Sequence, residues 1–111
     1  MLNQIILVGR LVRNPEAKEK EKGKKLLNIT LAVPRSFKNS EGVYETDFID
    51  VKLWDIVANH TQEYCKKGDI VGIRGRIQTS NYEKDGETKY VTEIIGEKVT
   101  FLSSKKQEET E

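Results

Sequence analysis

The feature that most constrains the fold is a strict alternation of apolar and polar residues, repeated in separate parts of the chain. Residues 27–33 read Leu-Asn-Ile-Thr-Leu-Ala-Val, and residues 48–54 read Phe-Ile-Asp-Val-Lys-Leu-Trp. A period of two places successive side chains on opposite faces of a β-strand. Residues 70–77 alternate in the same way, and prolines number only two. The pattern therefore predicts an all-β domain whose strands bury one face.

The two faces of residues 48–54 differ in kind. Ile49, Val51 and Leu53 form an apolar face that must contact the core. The opposite face carries two charged residues together with Phe48 and Trp54, aromatic side chains that are normally buried. A strand that presents large aromatic rings to water beside charges is typical of a binding surface.

The remaining patterns give an order of elements. Strands are predicted at residues 4–12, 27–33, 47–54, 70–82 and 88–95, with 99–102 as a short extension. Residues 16–25 are predicted to be an exposed loop or an extended hairpin tip, and residues 35–46 a loop or a loose hairpin, with Pro34 ending the second strand. A helix is expected from Asp55, as its cap, to about Lys66. Five strands with a helix between the third and fourth form an OB-fold, a Greek-key barrel.

Several finer features follow from this assignment. The helix should bury a stripe of Ile56, Val57, His60 and Tyr64. The fourth strand should direct Ile77 inward, in phase with its other apolar residues. Residues 1–102 are expected to form the domain. The polar residues 103–111 are expected to be a disordered tail.

Composition argues against several classes of protein. The formal net charge is +1, so any basic patch must be local. A single cysteine, Cys65, excludes an intrachain disulfide and a multi-cysteine metal site. The only histidine, His60, is not placed as a base for Cys65, so no catalytic site, metal or cofactor is predicted. The apolar run at residues 5–8 is too short for a signal peptide or membrane span, so the expected location is the cytoplasm.

Exposed aromatic rings and nearby cations point to nucleic acid. Bases stack on such rings while lysine and arginine neutralise the phosphates. The candidate stacking residues are Trp54, Phe48, Phe37 and Tyr82. The candidate phosphate contacts are Arg10, Arg35, Lys38, Lys52, Arg74 and Arg76. Because stacking tolerates any base, sequence preference should be slight.

Several motifs then carry a resemblance to a known family. These are residues 3–11 (Asn-Gln-Ile-Ile-Leu-Val-Gly-Arg-Leu), 14–16, 28–33, 51–54, 63–68 and 75–79 leading to Tyr82. In this order, over about residues 1–102, the chain resembles bacterial and phage single-stranded DNA-binding proteins. The resemblance implies an OB-fold homotetramer that wraps single-stranded DNA without sequence specificity in replication, recombination and repair.

The resemblance also implies roles for individual residues. The family's stacking positions fall on the four aromatic residues already chosen. Lys38 and Lys67 fall on positions that are often basic, so the resemblance adds Lys67 to the candidate phosphate contacts. Three of the stacking positions, which are often Trp in the family, carry Phe or Tyr here, and residues 80–81 are Ser-Asn where a basic pair is common. Asp50 lies between Phe48 and Trp54, and we expect it to pair with Lys52 or a nearby arginine.

The end of the chain differs from the family pattern as well. It closes Gln-Glu-Glu-Thr-Glu at residues 107–111, without the acidic tip and terminal Phe that recruit partner proteins. The chain thus resembles a short form, for which recruitment through a tip is not expected. Two alternatives stay open: a dimeric primosomal OB-fold accessory protein, and an OB-fold module that binds a protein through the Phe48–Trp54 face.

Overall fold

The computed structural model describes residues 1–19 and 23–104. Within them, six strands and one helix follow each other along the chain. They are β1 (Ile5–Leu11), β2 (Ala17–Glu19), β3 (Lys25–Lys38), β4 (Tyr44–Trp54), α1 (Asp55–Tyr64), β5 (Ile70–Lys84) and β6 (Glu87–Ser103). Five long strands, with the helix between the third and the fourth of them, are those that the sequence predicts. The short strand β2 lies in the stretch expected to be an exposed loop or an extended hairpin tip, and it pairs with β3.

The long strands close into a mixed barrel in the order β1, β5, β6, β4, β3. All neighbours are antiparallel except β4 and β6, which run parallel and meet at Lys52 and Ile95. The barrel closes where Arg10 and Leu11 of β1 pair with Ala32 and Leu31 of β3. A closed barrel leaves few open sheet edges, which are otherwise prone to aggregation.

The alternating pattern fills the barrel interior as predicted. Leu27, Ile29 and Leu31 of β3 and Val51 and Leu53 of β4 are almost completely buried. They form the core cluster together with residues of β1, β5 and the helix. The outward residues of the same strands are left to form surfaces.

Gly96 permits a close approach inside the barrel, and its neighbour Gly75 permits a closer one, because a Cβ atom there would collide with the backbone oxygen of Ile95. A Cβ atom at Gly96 would collide with the side chain of Leu53, so only glycine fits where β6 crosses the core. The β5–β6 pairing shifts register beside it, between Arg74 and Gly75. Such an irregularity bends the strands and helps the sheet to curl into a barrel.

The helix differs from its predicted form. It ends at Tyr64 rather than near Lys66, and its N-cap is Trp54, without a side-chain cap. The prediction that Asp55 caps the helix was wrong, because its carboxylate accepts a hydrogen bond from the backbone N–H of Lys25 instead. Ala58 and Thr61 are the buried helix residues.

The predicted helix stripe was therefore largely wrong. Of its residues, Val57 packs against the core, whereas Ile56, His60 and Tyr64 are exposed. Thr61 can be buried because its hydroxyl donates a hydrogen bond to the carbonyl of Val57. Cys65 is buried as expected, and burial is the main cause that raises the pKa of its thiol.

Two hairpins extend further than predicted. β3 continues through Pro34 to Lys38 and pairs with β4 with a shift in register, so the loop is confined to residues 39–43. β5 and β6 pair along their whole length up to the turn at residues 85–86. Ile77, expected to face inward, is 43% exposed because the hairpin has left the barrel there.

The predicted tail, residues 103–111, lies only partly within the described residues. β6 includes Ser103, one residue beyond the expected end of the domain. Residues 105–111, like 20–22 of the predicted loop, lie outside the described residues.

Candidate nucleic-acid interface

The outer face of β3 and β4 carries the aromatic residues of the predicted site. Phe48 lies opposite Ala32, whose small side chain leaves the ring 68% exposed. Trp54 lies opposite Leu26 and is half-buried at the start of the helix. Six residues along one strand separate the two rings by about 20 Å. They therefore suit different bases of one strand rather than a single base.

A polar cleft of about 490 Å³ opens between this face and β6. Its walls include outward residues of both strands and the C-terminal half of the β5–β6 hairpin. The lining residues are Arg13, Asn28, Thr30, Asp50, Lys52, Val91, Thr92, Glu93 and Ile94. Among them, only Lys52 belongs to the predicted contacts.

A second cleft of about 440 Å³ continues from the first towards the helix. The two clefts share Arg13 and Asn28, and the second also contains Lys67. The backbone N–H of Lys67 donates a hydrogen bond to Asn14, which fixes this corner of the cleft. Together the two clefts form one groove, which we call the β3–β4 groove.

Asp50 does not have the partner that was expected. Its Oδ1 accepts a hydrogen bond of 2.7 Å from the hydroxyl of Thr30. The guanidinium of Arg13 approaches the same hydroxyl at 3.4 Å. Among the described residues Asp50 forms no ion pair, so the predicted pairing with Lys52 or an arginine was wrong.

Lys52 pairs with Glu93 across the cleft instead. The hydrogen bond from Lys52, followed by that from Ser80, holds the pKa of Glu93 below its usual range. The Glu93 side chain is only 17% exposed and sits in the cleft wall. Lys52 is therefore at the predicted site, but with its charge already balanced by a carboxylate.

Two of the predicted arginines are balanced in the same way. Arg35 donates to Asp47 and Glu45 at 3.0 and 2.6 Å, on the arm formed by the outer parts of β3 and β4. The hydrogen bond to Asp47 raises the pKa of Arg35, and the same bond lowers the pKa of Asp47. Arg76 pairs with Glu97 at 3.0 Å.

The remaining predicted cations occupy different surroundings. Arg10 lies opposite Ala32, in the same row of the sheet as Phe48, and donates to the carbonyl of Gly68 at 2.7 Å. Arg74 is exposed between Ile6 and Lys98 of the flanking strands and lines neither cleft.

The other two predicted aromatic residues lie on the projecting hairpins. Phe37 is exposed near the end of β3, beside Lys38, whose ammonium lies 5.7 Å from the ring centre of Tyr44. Tyr82 is exposed near the turn of the β5–β6 hairpin. The structure thus brings Phe48, Lys52 and Lys67 to the barrel surface and leaves Phe37 and Tyr82 on separate arms.

Sequence reasoning missed several residues of the groove. Asn28 and Thr30 alternate with buried residues of β3, so their outward direction was available from the sequence. Arg13 lies two residues beyond the end of β1, and no local pattern marked it as part of a site. Glu93 enters the groove only through the pairing of β6 with β4 and β5, which no local pattern reveals.

The described residues form neither a metal-binding cluster nor a membrane-spanning helix. Residues 1–19 and 23–104 contain no group of three His, Cys, Asp or Glu side chains arranged to hold a metal ion. Over the same ranges, no helix has both the length and the apolar character needed to cross a bilayer.

Comparisons with known proteins agree on one family. A sequence profile of the Single-strand binding protein family matches residues 2–102. Single-stranded DNA-binding protein B of Bacillus subtilis is 44% identical over 109 residues, covering 97% of this chain and 96% of that protein. Single-stranded DNA-binding protein 3 of Listeria innocua is 46% identical over 106 residues, which cover 95% of this chain but 66% of the relative.

A solved structure extends the likeness to the fold. The Plasmodium falciparum SSB complex with ssDNA has a TM-score of 0.78 and 27% identity, covering 93% of this chain and 96% of that one. The five-stranded barrel is thus an OB-fold of the SSB type, as the sequence predicts. On the profile match, the relatives and the shared fold, the chain belongs to the single-strand binding protein family.

Proposed function

We propose that the protein binds and protects single-stranded DNA without marked sequence specificity in replication, recombination and repair. The observation that carries this proposal is the β3–β4 groove, which runs beside the exposed ring of Phe48 on a barrel of the SSB type. Bases stack on Phe48 and Trp54, and further along the strand on Phe37 and Tyr82. The relatives named as single-stranded DNA-binding proteins support this assignment.

Phosphate contacts divide into three groups. Lys67, at the open end of the groove, meets phosphates at the barrel surface, and Arg10, which lies in the row of Phe48 and donates to the carbonyl of Gly68, contributes there as well. Lys52, Arg35 and Arg76 meet them only by exchanging a carboxylate partner. Exposed ion pairs such as those of Arg35 and Arg76 contribute about 0–1 kcal/mol, so a phosphate can replace their carboxylates at little cost. Lys38 and Arg74 serve DNA that extends beyond the groove.

The protein acts as a homotetramer. Ile6 and Val8 of β1 are 70% and 51% exposed, which leaves an aliphatic surface without a covering element. β1 pairs with β3 only at residues 10–11, so the backbone edge of residues 5–9 is open within the described chain. An open edge and an aliphatic face support contact with another copy.

The protein works without catalysis or a cofactor, as one domain over residues 1–102. It acts in the cytoplasm, associated with the nucleoid, where single-stranded DNA arises.

Fluorescence of Trp54 tests the function directly, because it is the only tryptophan of the chain. Titration with oligo-dT should quench its emission, and binding should weaken as salt rises through counterion release. An unchanged emission at low salt would overturn the stacking proposal. Native mass spectrometry of the same sample should show four copies, and a stable dimer would count against the tetramer.

A further inference from the structure

The two faces of the β3–β4 arm differ in charge. Tyr44 is four residues from Phe48 on β4, so the period of two places both side chains on the same face. Glu45 and Asp47 alternate with them and lie on the opposite face, where Arg35 pairs with both. These two carboxylates are therefore turned away from the face of the arm that carries the aromatic rings.

Tyr44 is paired with a cation instead. Lys38 lies opposite it in the register of β3 and β4, and the Lys38 ammonium is 5.7 Å from the centre of the ring. A cation within about 6 Å of a ring centre is attracted to the negative face of the π system. Tyr44 is still 55% exposed, and within residues 1–19 and 23–104 its hydroxyl forms no hydrogen bond. The ring is therefore an accessible flat surface with a positive charge beside it.

An exposed ring beside a cation suits a nucleotide. A base stacks on the face of an aromatic side chain, and a neighbouring lysine or arginine neutralises the phosphate backbone. Four residues of a strand span about 13 Å, so the Tyr44 ring lies beyond Phe48 towards the tip of the arm. At that separation the two rings suit different nucleotides of one DNA strand.

We propose that Tyr44 is a further stacking residue for single-stranded DNA and that Lys38 neutralises the phosphate beside it. DNA then follows one face of β4 from Trp54 past Phe48 to the tip of the arm. This inference rests on the proposed function, and it adds a ring on β4 to the one that Phe37 supplies on β3. Stacking is indifferent to the identity of the base, so Tyr44 adds affinity without adding sequence preference.

The test compares Tyr44→Leu with Tyr44→Phe, because leucine keeps an apolar side chain without a π face and phenylalanine keeps the ring. Dissociation constants for oligo-dT are measured by Trp54 fluorescence at fixed salt. Tyr44→Leu should weaken binding by about three- to tenfold, in the lower part of the range for one stacked base. Tyr44→Phe should bind like the wild type. Tyr64→Leu makes the same substitution at an exposed tyrosine of α1 and should leave the affinity unchanged.

A salt titration tests the contact assigned to Lys38. In Lys38→Gln the slope of log K against log salt should fall by about 0.7, the contribution of one phosphate contact on a single strand. A slope equal to that of the wild type would overturn the role of Lys38.

The outcomes for Tyr44 separate the inference from the proposed function. If Tyr44→Leu binds oligo-dT like the wild type, Tyr44 does not stack on a base, and the inference is overturned while the proposed function stands. The inference is also overturned if Tyr44→Phe loses as much affinity as Tyr44→Leu, or if Tyr64→Leu does. If the wild type does not bind oligo-dT, the proposed function fails and the inference with it.

Discussion

Two outer surfaces of the same barrel differ sharply in chemistry. The outer face of β3 and β4 carries Phe48, Trp54 and a set of charged residues, most of them engaged with a partner. The outer face of β1 carries Ile6 and Val8, aliphatic and exposed. Both faces arise from the same alternation of residues. Their difference shows that the period of two creates an outer face, and the residue types on it decide whether it suits a polyanion or another protein.

The two surfaces also differ in how their polar groups are satisfied. On the groove side Lys52 is paired with Glu93, and Asp50 is held by Thr30. These contacts keep the surface ordered and near neutral before DNA arrives. On the β1 side, Val8 lies opposite Gly72 of β5, which adds no side chain to cover it. A surface of this kind loses solvent-exposed apolar area only when another molecule covers it.

The largest expected effect is on assembly. Val8→Asp places a carboxylate on the aliphatic face of β1, and burying an unpaired charge costs on the order of several kcal/mol per subunit. Native mass spectrometry should show loss of the proposed tetramer in favour of smaller species. Val43→Asp introduces the same change at an exposed valine of the β3–β4 loop and should leave the mass unchanged. If a tetramer survives Val8→Asp, the outer face of β1 does not lie in the interface between copies.

The next effect concerns the aromatic face. Phe48→Ala removes a stacking platform, which should weaken binding of oligo-dT by about 1–3 kcal/mol, or roughly 5- to 150-fold. The matched control is Phe101→Ala, an exposed phenylalanine in the cleft between α1 and β6. Trp54 fluorescence measures both. Equal losses in the two variants would show that the groove has no special role.

The contrast between the two surfaces also shows how far the sequence could predict this molecule. Alternation is a local property, so the buried residues of β3 and β4 and the exposure of Phe48 followed from it directly. The same argument failed on the helix, where Thr61 is buried because its hydroxyl bonds to Val57 within the helix. Periodicity predicts which face of an element is buried from the polarity of its residues. It does not detect a polar side chain that can be buried because it forms a hydrogen bond within its own element.

The interface was less predictable than the barrel. The pairing of Lys52 with Glu93 joins residues far apart in sequence, through strands that neighbour each other only once the barrel has closed. The length of the β3–β4 arm was missed because Pro34 reads as a strand end. Proline is tolerated there beside an irregularity in the pairing with β4. Such features depend on the register in which strands pair, and the local pattern of a single strand does not specify that register.

A smaller effect is expected at a residue that the sequence did not single out. Arg13 lines both halves of the β3–β4 groove, so Arg13→Ala should weaken DNA binding by about two- to fivefold. The slope of log K against log salt should fall by about 0.7, the contribution of one phosphate contact on a single strand. Arg13→Lys keeps the charge and should keep the slope. If the slope is unchanged in Arg13→Ala, the phosphate backbone of the DNA does not contact Arg13.

The smallest expected effect is a gain. Glu93→Gln removes the carboxylate that balances Lys52, so phosphate can bind the ammonium without displacing a partner. We expect about two- to threefold tighter binding and a steeper salt dependence. Because the pKa of Glu93 is lowered, the ion pair persists above that pKa and is lost only as the pH falls through it.

The gain should therefore be constant between about pH 6 and pH 8, well above the ordinary pKa of a glutamate. Glu63→Gln, which makes the same charge change on the helix, separates the release of Lys52 from a general change in net charge. If both variants tighten binding equally, Lys52 contacts no phosphate. If Glu93→Gln alone tightens binding, the carboxylates of the groove lower its affinity for DNA. The groove then differs from the β1 face, because its own carboxylates partly cancel its attraction for phosphate.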